Sequence, residues 1–285
     1  MIKNRIRHIL KTTLMDNNDI RLEVLVSAMN QHDLSLVDQL GCESDILIVN
    51  QSDFEGYTES TVNGYLVRMI STKQRGLSRS RNMALAHSTG DICLFCDDDE
   101  VLHAGYGKTI IDAFSRLADA DIIAFNFENE NPHFSPKIIK TESRSSRFRF
   151  NSSVSLAFRR KRIQAKGIWF DVSFGAGSGF ISMGEEPIWQ REAQKKGLKR
   201  FQCPCYIASV KQKESSWFRG YDAKYFYDLG AFLERVFPIL KYLFRFYYLY
   251  RLGRLTKLSA FDQMKWINNG MKGFRKGMSY QEFVI

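Results

Sequence analysis

The sequence predicts an α/β fold, with a mostly parallel sheet flanked by helices on both faces. Two observations support this class. Short apolar runs alternate with helical segments over the first two hundred residues, which is the order expected of strand–helix–strand units. The run at 45–50 (DILIVN) is apolar without alternation, as is typical of a parallel strand covered on both faces. With 285 residues, 44% of them hydrophobic, the chain can bury one sizeable core.

The predicted elements follow in chain order. Strands are expected over Glu23–Ala28, Asp45–Asn50, Tyr65–Ile70, Ile92–Phe95 and Asp121–Phe127, with a late edge strand at Tyr206–Val210. Helices are expected over Leu34–Leu40, Asn82–His87, Ala104–Leu117 and Glu185–Lys196. The segment 129–166 is rich in Ser, Arg and Lys, and we interpret it as surface strands and loops. The chain is thereby divided into a helical segment at 1–20, a main domain at 21–217, and an aromatic and basic helical region at 218–285.

The net charge of +10 indicates an anionic partner. A phosphate-bearing substrate, an acidic membrane surface and a nucleic acid all fit that charge. The first twenty residues lack the continuous apolar core of a secretory signal, and no stretch is apolar for the ~20 residues of a spanning helix. We therefore expect a cytoplasmic location. The five cysteines are interpreted as small buried side chains in a reducing compartment.

Three adjacent carboxylates, Asp97, Asp98 and Asp99, come directly after a buried strand. Ligands of open α/β sheets bind at the carboxyl ends of the strands, so this position suggests a site. Neighbouring carboxylates repel each other, and a divalent cation that also holds substrate phosphates would relieve that repulsion. A second Asp-x-Asp, at 119–121, precedes its strand, and we interpret it as a solvated turn at the opposite edge.

Three motifs, in this order and spacing, carry a resemblance to a known family. They are GLSRSRN (76–82), TGDICLFCDDDE (89–100) and GEEPIWQREAQKKG (184–197). The region Leu22–Lys199 resembles the family 2 glycosyltransferases, whose fold is named GT-A. The resemblance implies an inverting hexosyltransferase that uses Mn²⁺ or Mg²⁺ and moves a sugar from a nucleotide sugar to an acceptor hydroxyl. It further implies surface polysaccharide synthesis in a bacterium, with a saccharide or lipid-linked saccharide as acceptor.

The same resemblance assigns residues to the donor side of the site. Asp97 and Asp99 would hold the metal, with Asp98 between them facing the sugar or ribose. Arg81 would support the diphosphate or position the acidic loop, although a structural ion pair is an equal alternative. The nucleotide, expected to be uridine diphosphate, would lie at Ser27, Asn50 and Asp53.

On the acceptor side, Glu186 stands where the family has its general base, and Glu185 precedes it. Which of the two takes the proton stays open. Trp169, Gly177 and Gly179 would line the acceptor, although core packing is an equal alternative for Trp169. The family often has a late metal-binding His, and this chain has Lys211 there, so a third metal ligand stays open.

Aromatic and basic residues are mixed along Phe232–Lys257, as is typical of a helix at a membrane interface. We expect this tail to dock the enzyme peripherally on the inner face of the cell membrane. The alternative is a helix pair that packs on the main domain or on a second copy.

Two other functional classes stay open. A sugar nucleotidyltransferase would need a Gly-rich, basic loop after the first strand, which 27–33 lacks. A non-catalytic nucleic-acid-binding protein would fit the charge, but the chain has no recognisable recognition motif, so we expect no nucleic-acid partner.

Overall fold

The computed structural model describes residues 20–129, 137–211 and 218–285. The helical segment predicted at 1–20 lies outside them apart from Ile20. The strands of the described part are β1 Leu22–Met29, β2 Asp45–Gln51, β3 Gly56–Val62, β4 Tyr65–Thr72, β5 Ile92–Asp97, β6 Glu100–Leu102, β7 Ile122–Asn129, β8 Ser143–Arg144, β9 Leu156–Arg159 and β10 Arg200–Val210. They form one sheet in the order β3-β4-β2-β1-β5-β9-β7-β10-β6, and β8 pairs with β10.

In the described part of the chain, five helices cover the two faces of this sheet and four more follow β10. They are α1 Leu36–Leu40, α2 Leu77–His87, α3 Tyr106–Arg116, α4 Arg160–Ala165, α5 Glu185–Lys195, α6 Ala223–Val236, α7 Lys241–Leu252, α8 Ala260–Arg275 and α9 Tyr280–Val284. Side chains of α1 and α3 pack on one face, and those of α2, α4 and α5 pack on the other. The predicted fold class is therefore confirmed as an α/β sheet covered on both faces.

The parallel core consists of β4, β2, β1 and β5, which pair with one another in parallel. Their inner strands are apolar without alternation because neither face meets water. Parallel register places the carboxyl ends of β1 and β5 side by side, with Ser27 opposite Asp97. This pairing sets one wall of the site described below.

The sheet is more mixed than the sequence predicted. Five of its pairings are antiparallel, including that of β3, which the hairpin turn at Asn63 and Gly64 joins to β4. The segment 129–166 was expected at the surface, yet β9 lies buried between β5 and β7. The four residues of β9 are too few to show the alternation that identifies a strand in a sequence. The strand becomes evident only from its pairing with β5 and β7. The late strand likewise begins at Arg200 and pairs on both sides instead of forming an edge.

The C-terminal helices pack on the main domain through a third apolar cluster. Helices α6 and α8 approach closely because Gly230 and Gly270 have no Cβ to meet the facing backbone. Phe232 of α6 lies against Gly184, at the start of α5. The predicted packing on the main domain is thus found for α6 and α8, whereas α7 joins their cluster with one side and is exposed on the other. Within the described residues, no helix combines the length and apolar character needed to cross a membrane.

Candidate active site

The acidic loop lies at the carboxyl edge of the sheet, as predicted. Strand β5 extends to Asp97, two residues beyond the predicted end. The Asp97 backbone N–H donates to Glu100 Oε1 at 2.8 Å, and the Met29 N–H donates to Asp98 Oδ2 at 3.1 Å. These two bonds fold the loop back against the end of β1.

The acidic loop carries uncompensated negative charge. Burial, together with the neighbouring Asp97 and Asp98 carboxylates, raises the pKa of Asp99 to about 6. Burial and Asp97 also raise the pKa of Asp98. Within the described residues, neither Asp98 nor Asp99 forms an ion pair. A bound cation would relieve this repulsion.

Arg81 connects the acidic loop to the second acidic motif. The helix predicted at Asn82 begins five residues earlier, so Arg81 lies within α2 and points into the protein with 2% of its side chain exposed. Its Nη2 is 3.2 Å from both carboxylate oxygens of Asp97, and its Nη1 is 3.4 Å from Glu185 Oε1. Nη2 also lies 3.7 Å from Glu186 Oε1. Burial acts to lower the pKa of Arg81, but these three carboxylates outweigh it and raise the pKa.

Ser153 completes this network, and sequence reasoning missed it. Its Oγ is 2.6 Å from Arg81 Nη2 and 2.6 Å from Glu186 Oε1, and its backbone N–H donates to the same oxygen at 2.9 Å. Ser153 lies in a short 3₁₀ turn before β9, in the segment interpreted as surface loops. A serine in a serine-rich stretch carries no signal of its own, so only the fold reveals this contact.

The two glutamates occupy the first turn of α5, where a helix N-terminus favours negative charge. Gly184 begins this turn at φ +93°, a conformation that favours glycine. Burial and the Glu186 carboxylate raise the pKa of Glu185 to about 7, although Arg81 acts in the opposite direction. Glu186 is the more exposed of the two, at 23% of its side chain against 12%.

The residues predicted to bind the nucleotide lie near the carboxyl ends of β1 and β2, with Ser27 and Asn50 inside the strands and Asp53 after β2. The Ser80 hydroxyl donates a hydrogen bond to Ser27 Oγ at 2.9 Å. Asn50 is fully buried, and its amide holds both the N–H and the carbonyl of Gln31. Asp53 is almost fully exposed and pairs with Arg75 at 2.6 Å. In this arrangement Asn50 shapes the loop after β1, while Asp53 has its carboxylate at the surface; their roles toward a nucleotide stay predictions.

The acceptor residues lie on the loop that runs over the start of α2. Gly177 contacts Gly76, where neither residue leaves room for a Cβ, and the Leu77 N–H donates to the Ala176 carbonyl at 2.9 Å. Gly179 has φ +77° and open space around it. Trp169 is 46% exposed, so the alternative of core packing is wrong for this residue. The neighbouring Phe170 is buried, with its ring under the Arg81 guanidinium.

One other sequence prediction, that of a solvated turn at Asp121, has a clear outcome. Asp121 was interpreted as part of a solvated turn, but it is buried and accepts from Arg162 and from the Lys199 backbone. That interpretation was wrong for Asp121, because β10 begins beside it. Lys211 donates its backbone N–H to the Asp99 carbonyl at 3.2 Å. The Glu-Ser-Ser residues that follow it lie outside the described residues.

No group of three His, Cys, Asp or Glu side chains in the described part of the chain has the arrangement of a metal site. The chemistry of Asp97 and Asp99 nevertheless fits Mg²⁺ or Mn²⁺. Such ions prefer oxygen ligands and are held by one or two carboxylates plus substrate phosphates. Burial and the neighbouring carboxylates raise the pKa of Asp99, as expected for an acid without a positively charged partner. Two protein ligands would suffice at such a site.

Comparison with known proteins supports the family indicated by the motifs. The model of the glycosyl transferase family 2 matches residues 22–180, more than half of the chain. The chain belongs to glycosyl transferase family 2. Membership of this family decides against the two alternative functional classes, a sugar nucleotidyltransferase and a non-catalytic nucleic-acid-binding protein. No curated protein sequence matches the chain.

Among solved structures, S. aureus TarS residues 1–349 share this fold. The complex with UDP-GlcNAc has a TM-score of 0.59 at 13% identity, covering 92% of this chain and 93% of that one. The complex with UDP has a TM-score of 0.57 at 12% identity, with the same coverage. This glycosyltransferase therefore has the GT-A fold. The nucleotide sugar implied by the motifs agrees with the ligands of these TarS complexes.

Proposed function

We propose that this glycosyltransferase moves a sugar from UDP to a hydroxyl of a saccharide or lipid-linked saccharide, with inversion at the anomeric carbon and with a divalent metal. The observation that carries the proposal is the Arg81 network. One buried guanidinium contacts Asp97 on the donor side and Glu185 and Glu186 on the other side. A donor and an acceptor bound at these two groups would meet across Arg81.

Asp97 and Asp99 are the residues that would hold Mg²⁺ or Mn²⁺. When bound, such an ion neutralises the charge that develops on the leaving diphosphate. Arg81 fixes the Asp97 carboxylate through both oxygens, which limits its freedom before any ligand arrives. The nucleotide would lie along the ends of β1 and β2, beside Ser27 and Asn50.

Glu186 is the general base in this proposal. Its hydrogen bonds to Ser153 are made by Oε1, and within the described residues Oε2 accepts none. Oε2 is thus free to accept the proton of the acceptor hydroxyl. As that proton leaves, the hydroxyl oxygen forms a bond to the anomeric carbon. The bond to the phosphate oxygen breaks, and UDP departs with the electron pair. A single displacement of this kind inverts the anomeric centre and needs no covalent intermediate.

The acceptor would enter from the side of Trp169 and the 175–179 loop. An exposed aromatic face suits the apolar side of a sugar ring, and the glycines leave the backbone accessible. A role in surface polysaccharide synthesis is consistent with such an acceptor.

The test measures the hydrolysis of UDP-GlcNAc and of other UDP-sugars by the wild type and by Asp99→Asn, each with and without Mn²⁺. We expect wild-type hydrolysis to require the metal and Asp99→Asn to lose at least about 100-fold, since the charge at the diphosphate is then uncompensated. Asp119→Asn is the matched control, because it alters an exposed Asp-x-Asp residue away from the site. Equal activity of Asp99→Asn, or activity unaffected by chelator, would contradict the metal-dependent mechanism.

A further inference from the structure

Helix α7 has an apolar side that packs inward and a second apolar side that faces outward. Phe244, Tyr248 and Leu252 join the cluster with α6 and α8. On the outer side Leu243, Phe246 and Tyr250 are 66%, 54% and 89% exposed. With Ile239, which is 90% exposed just before the helix, they follow the i, i+4, i+7, i+11 spacing of one helix face. We call these four residues the outer face of α7. A helix in water normally presents polar side chains there.

The chain segment that contains the outer face is positively charged. From 235 to 261 the sequence contains no acidic residue and six basic ones. Lys241 and Arg235 pair with carboxylates of the main domain or of α6. Within the described residues the other four form no ion pair with a carboxylate; they are Arg245, Arg251, Arg254 and Lys257. Four basic residues without a carboxylate partner are therefore in the same stretch of chain as the exposed apolar strip.

Arg245 connects the charge to the apolar strip. Its guanidinium lies 5.3 Å from the Tyr242 ring centre and 4.8 Å from that of Phe246. Stacked in this way, the charge lies at the level of exposed aromatic rings. This juxtaposition is typical of the boundary between lipid headgroups and acyl chains, where rings and basic groups are both accommodated.

The outer face is connected to the catalytic acids by direct packing. Gly184, which precedes Glu185, lies against Phe232 of α6. Phe232 contacts Phe237 edge to face, and Phe237 stacks on Phe244 of α7 with ring centres 4.0 Å apart. A surface that binds α7 would therefore lie one helix layer from the start of α5.

We propose that the outer face of α7, with the four basic residues around it, docks on an anionic lipid bilayer. The apolar side chains enter the headgroup boundary, and the basic residues contact anionic headgroups. A second copy of this chain fits less well, because pairing two outer faces would oppose four positive charges with four others. A nucleic acid would match the charge but would leave the exposed Leu and Ile side chains without an apolar partner. This surface does not depend on the reaction chemistry proposed above.

The experiment is flotation of the full chain with vesicles of phosphatidylcholine, alone or with about one third phosphatidylglycerol. An apolar variant carries Leu243→Gln, Phe246→Gln and Tyr250→Gln, and a charge variant carries Arg254→Gln and Lys257→Gln. The control variant carries Tyr57→Gln and Ile138→Gln, which are also exposed apolar residues but lie elsewhere. UDP-sugar hydrolysis in solution is measured for all of them to verify the fold.

We expect the wild type and the control variant to float with the anionic vesicles only. The apolar variant should bind at least about tenfold more weakly, and the charge variant about fivefold more weakly for each charge removed. Equal flotation with neutral vesicles, or wild-type binding by both variants, would overturn the proposal. So would a wild-type dimer that the apolar variant dissociates while flotation is unchanged, because the outer face would then be a contact between two copies. If the apolar variant loses hydrolysis, the charge variant alone decides.

Discussion

Arg81 holds Asp97 through both carboxylate oxygens, each 3.2 Å from Nη2, while its other terminal nitrogen reaches Glu185. The two acidic motifs are about 90 residues apart in the sequence, and this side chain brings them together. A single buried cation among three carboxylates leaves excess negative charge at the site. Several consequences of that imbalance can be measured.

Replacing Arg81 with Met should destabilise the protein by about 3 to 5 kcal/mol, because three carboxylates then lose their buried counter-charge. Urea unfolding measures the free-energy change. As a control, Lys73→Met removes an exposed charge and should change the free energy of unfolding by less than about 0.5 kcal/mol.

The double variant Arg81→Met with Glu185→Gln tests whether repulsion between carboxylates causes the destabilisation expected for Arg81→Met. Removing one of the repelling carboxylates should recover part of the loss, about 1 kcal/mol or more. If the two changes instead add, lost packing against Phe170 and not charge accounts for the effect of Arg81.

Glu185 should make stability depend on pH near neutrality. Its pKa is raised from 4.5 to about 7, mainly by burial and then by Glu186, so the folded state binds this proton more tightly than the unfolded state. Stability from this group is therefore present below pH 4.5 and declines as the pH rises to about 7, by at most about 3 kcal/mol. Chemical unfolding measured at a series of pH values tests the decline.

The Glu185→Gln variant should show a flatter profile across the same window. The exposed Glu128→Gln serves as control and should follow the wild-type curve. A Glu185→Gln profile that still parallels the wild type between pH 4.5 and 7 would assign the decline to another group.

Glu186→Gln should reduce kcat for transfer by at least about 100-fold with little change in the Kd for UDP, because only proton removal from the acceptor is lost. Glu185→Gln should retain more activity than Glu186→Gln, since the proposed role of Glu185 is to pair with Arg81 and not to take the proton. Steady-state transfer kinetics and UDP titration separate the two effects. The reverse order of kcat values would make Glu185 the base.

Gly184→Ala should be far more damaging than Gly64→Ala. Both glycines have positive φ, so both substitutions strain the backbone by about 1 kcal/mol. At Gly64 an added Cβ meets nothing within 4 Å, whereas at Gly184 it would lie 2.6 Å from the Phe232 ring. Relief would displace the first turn of α5, which carries both glutamates.

We therefore expect Gly184→Ala to lower Tm more than Gly64→Ala does and to lower kcat as well, while Gly64→Ala keeps wild-type kcat. Thermal unfolding and transfer assays on the two variants provide the comparison. Equal losses in the two would mean that the Phe232 contact has no influence on the glutamates.

Much of the parallel half of the fold could be predicted from local patterns. The apolar runs at β1, β2 and β5 are long enough to identify buried strands, and the acids follow β5 at the ligand-binding edge as expected. Strands β3 and β9 escaped prediction for different reasons. Six of the seven residues of β3 are exposed, so the strand has no alternation of buried and exposed side chains. Strand β9 has only four residues, between a serine-rich turn and a basic helix. Such segments become strands through their partners, not through their own periodicity.

The sequence by itself determined the α/β class, the position of the acidic loop and the order of the motifs that define the family. These properties follow from residue types at short spacing, which local sequence records directly. Only the tertiary structure decided that Arg81 lies among Asp97, Glu185 and Glu186 and that Ser153 bonds to both Arg81 and Glu186. It also decided that α7, alone among the longer C-terminal helices, presents an apolar face outward. The contacts of this network join residues from 16 to 104 positions apart, and they arise when burial of the core brings distant elements together.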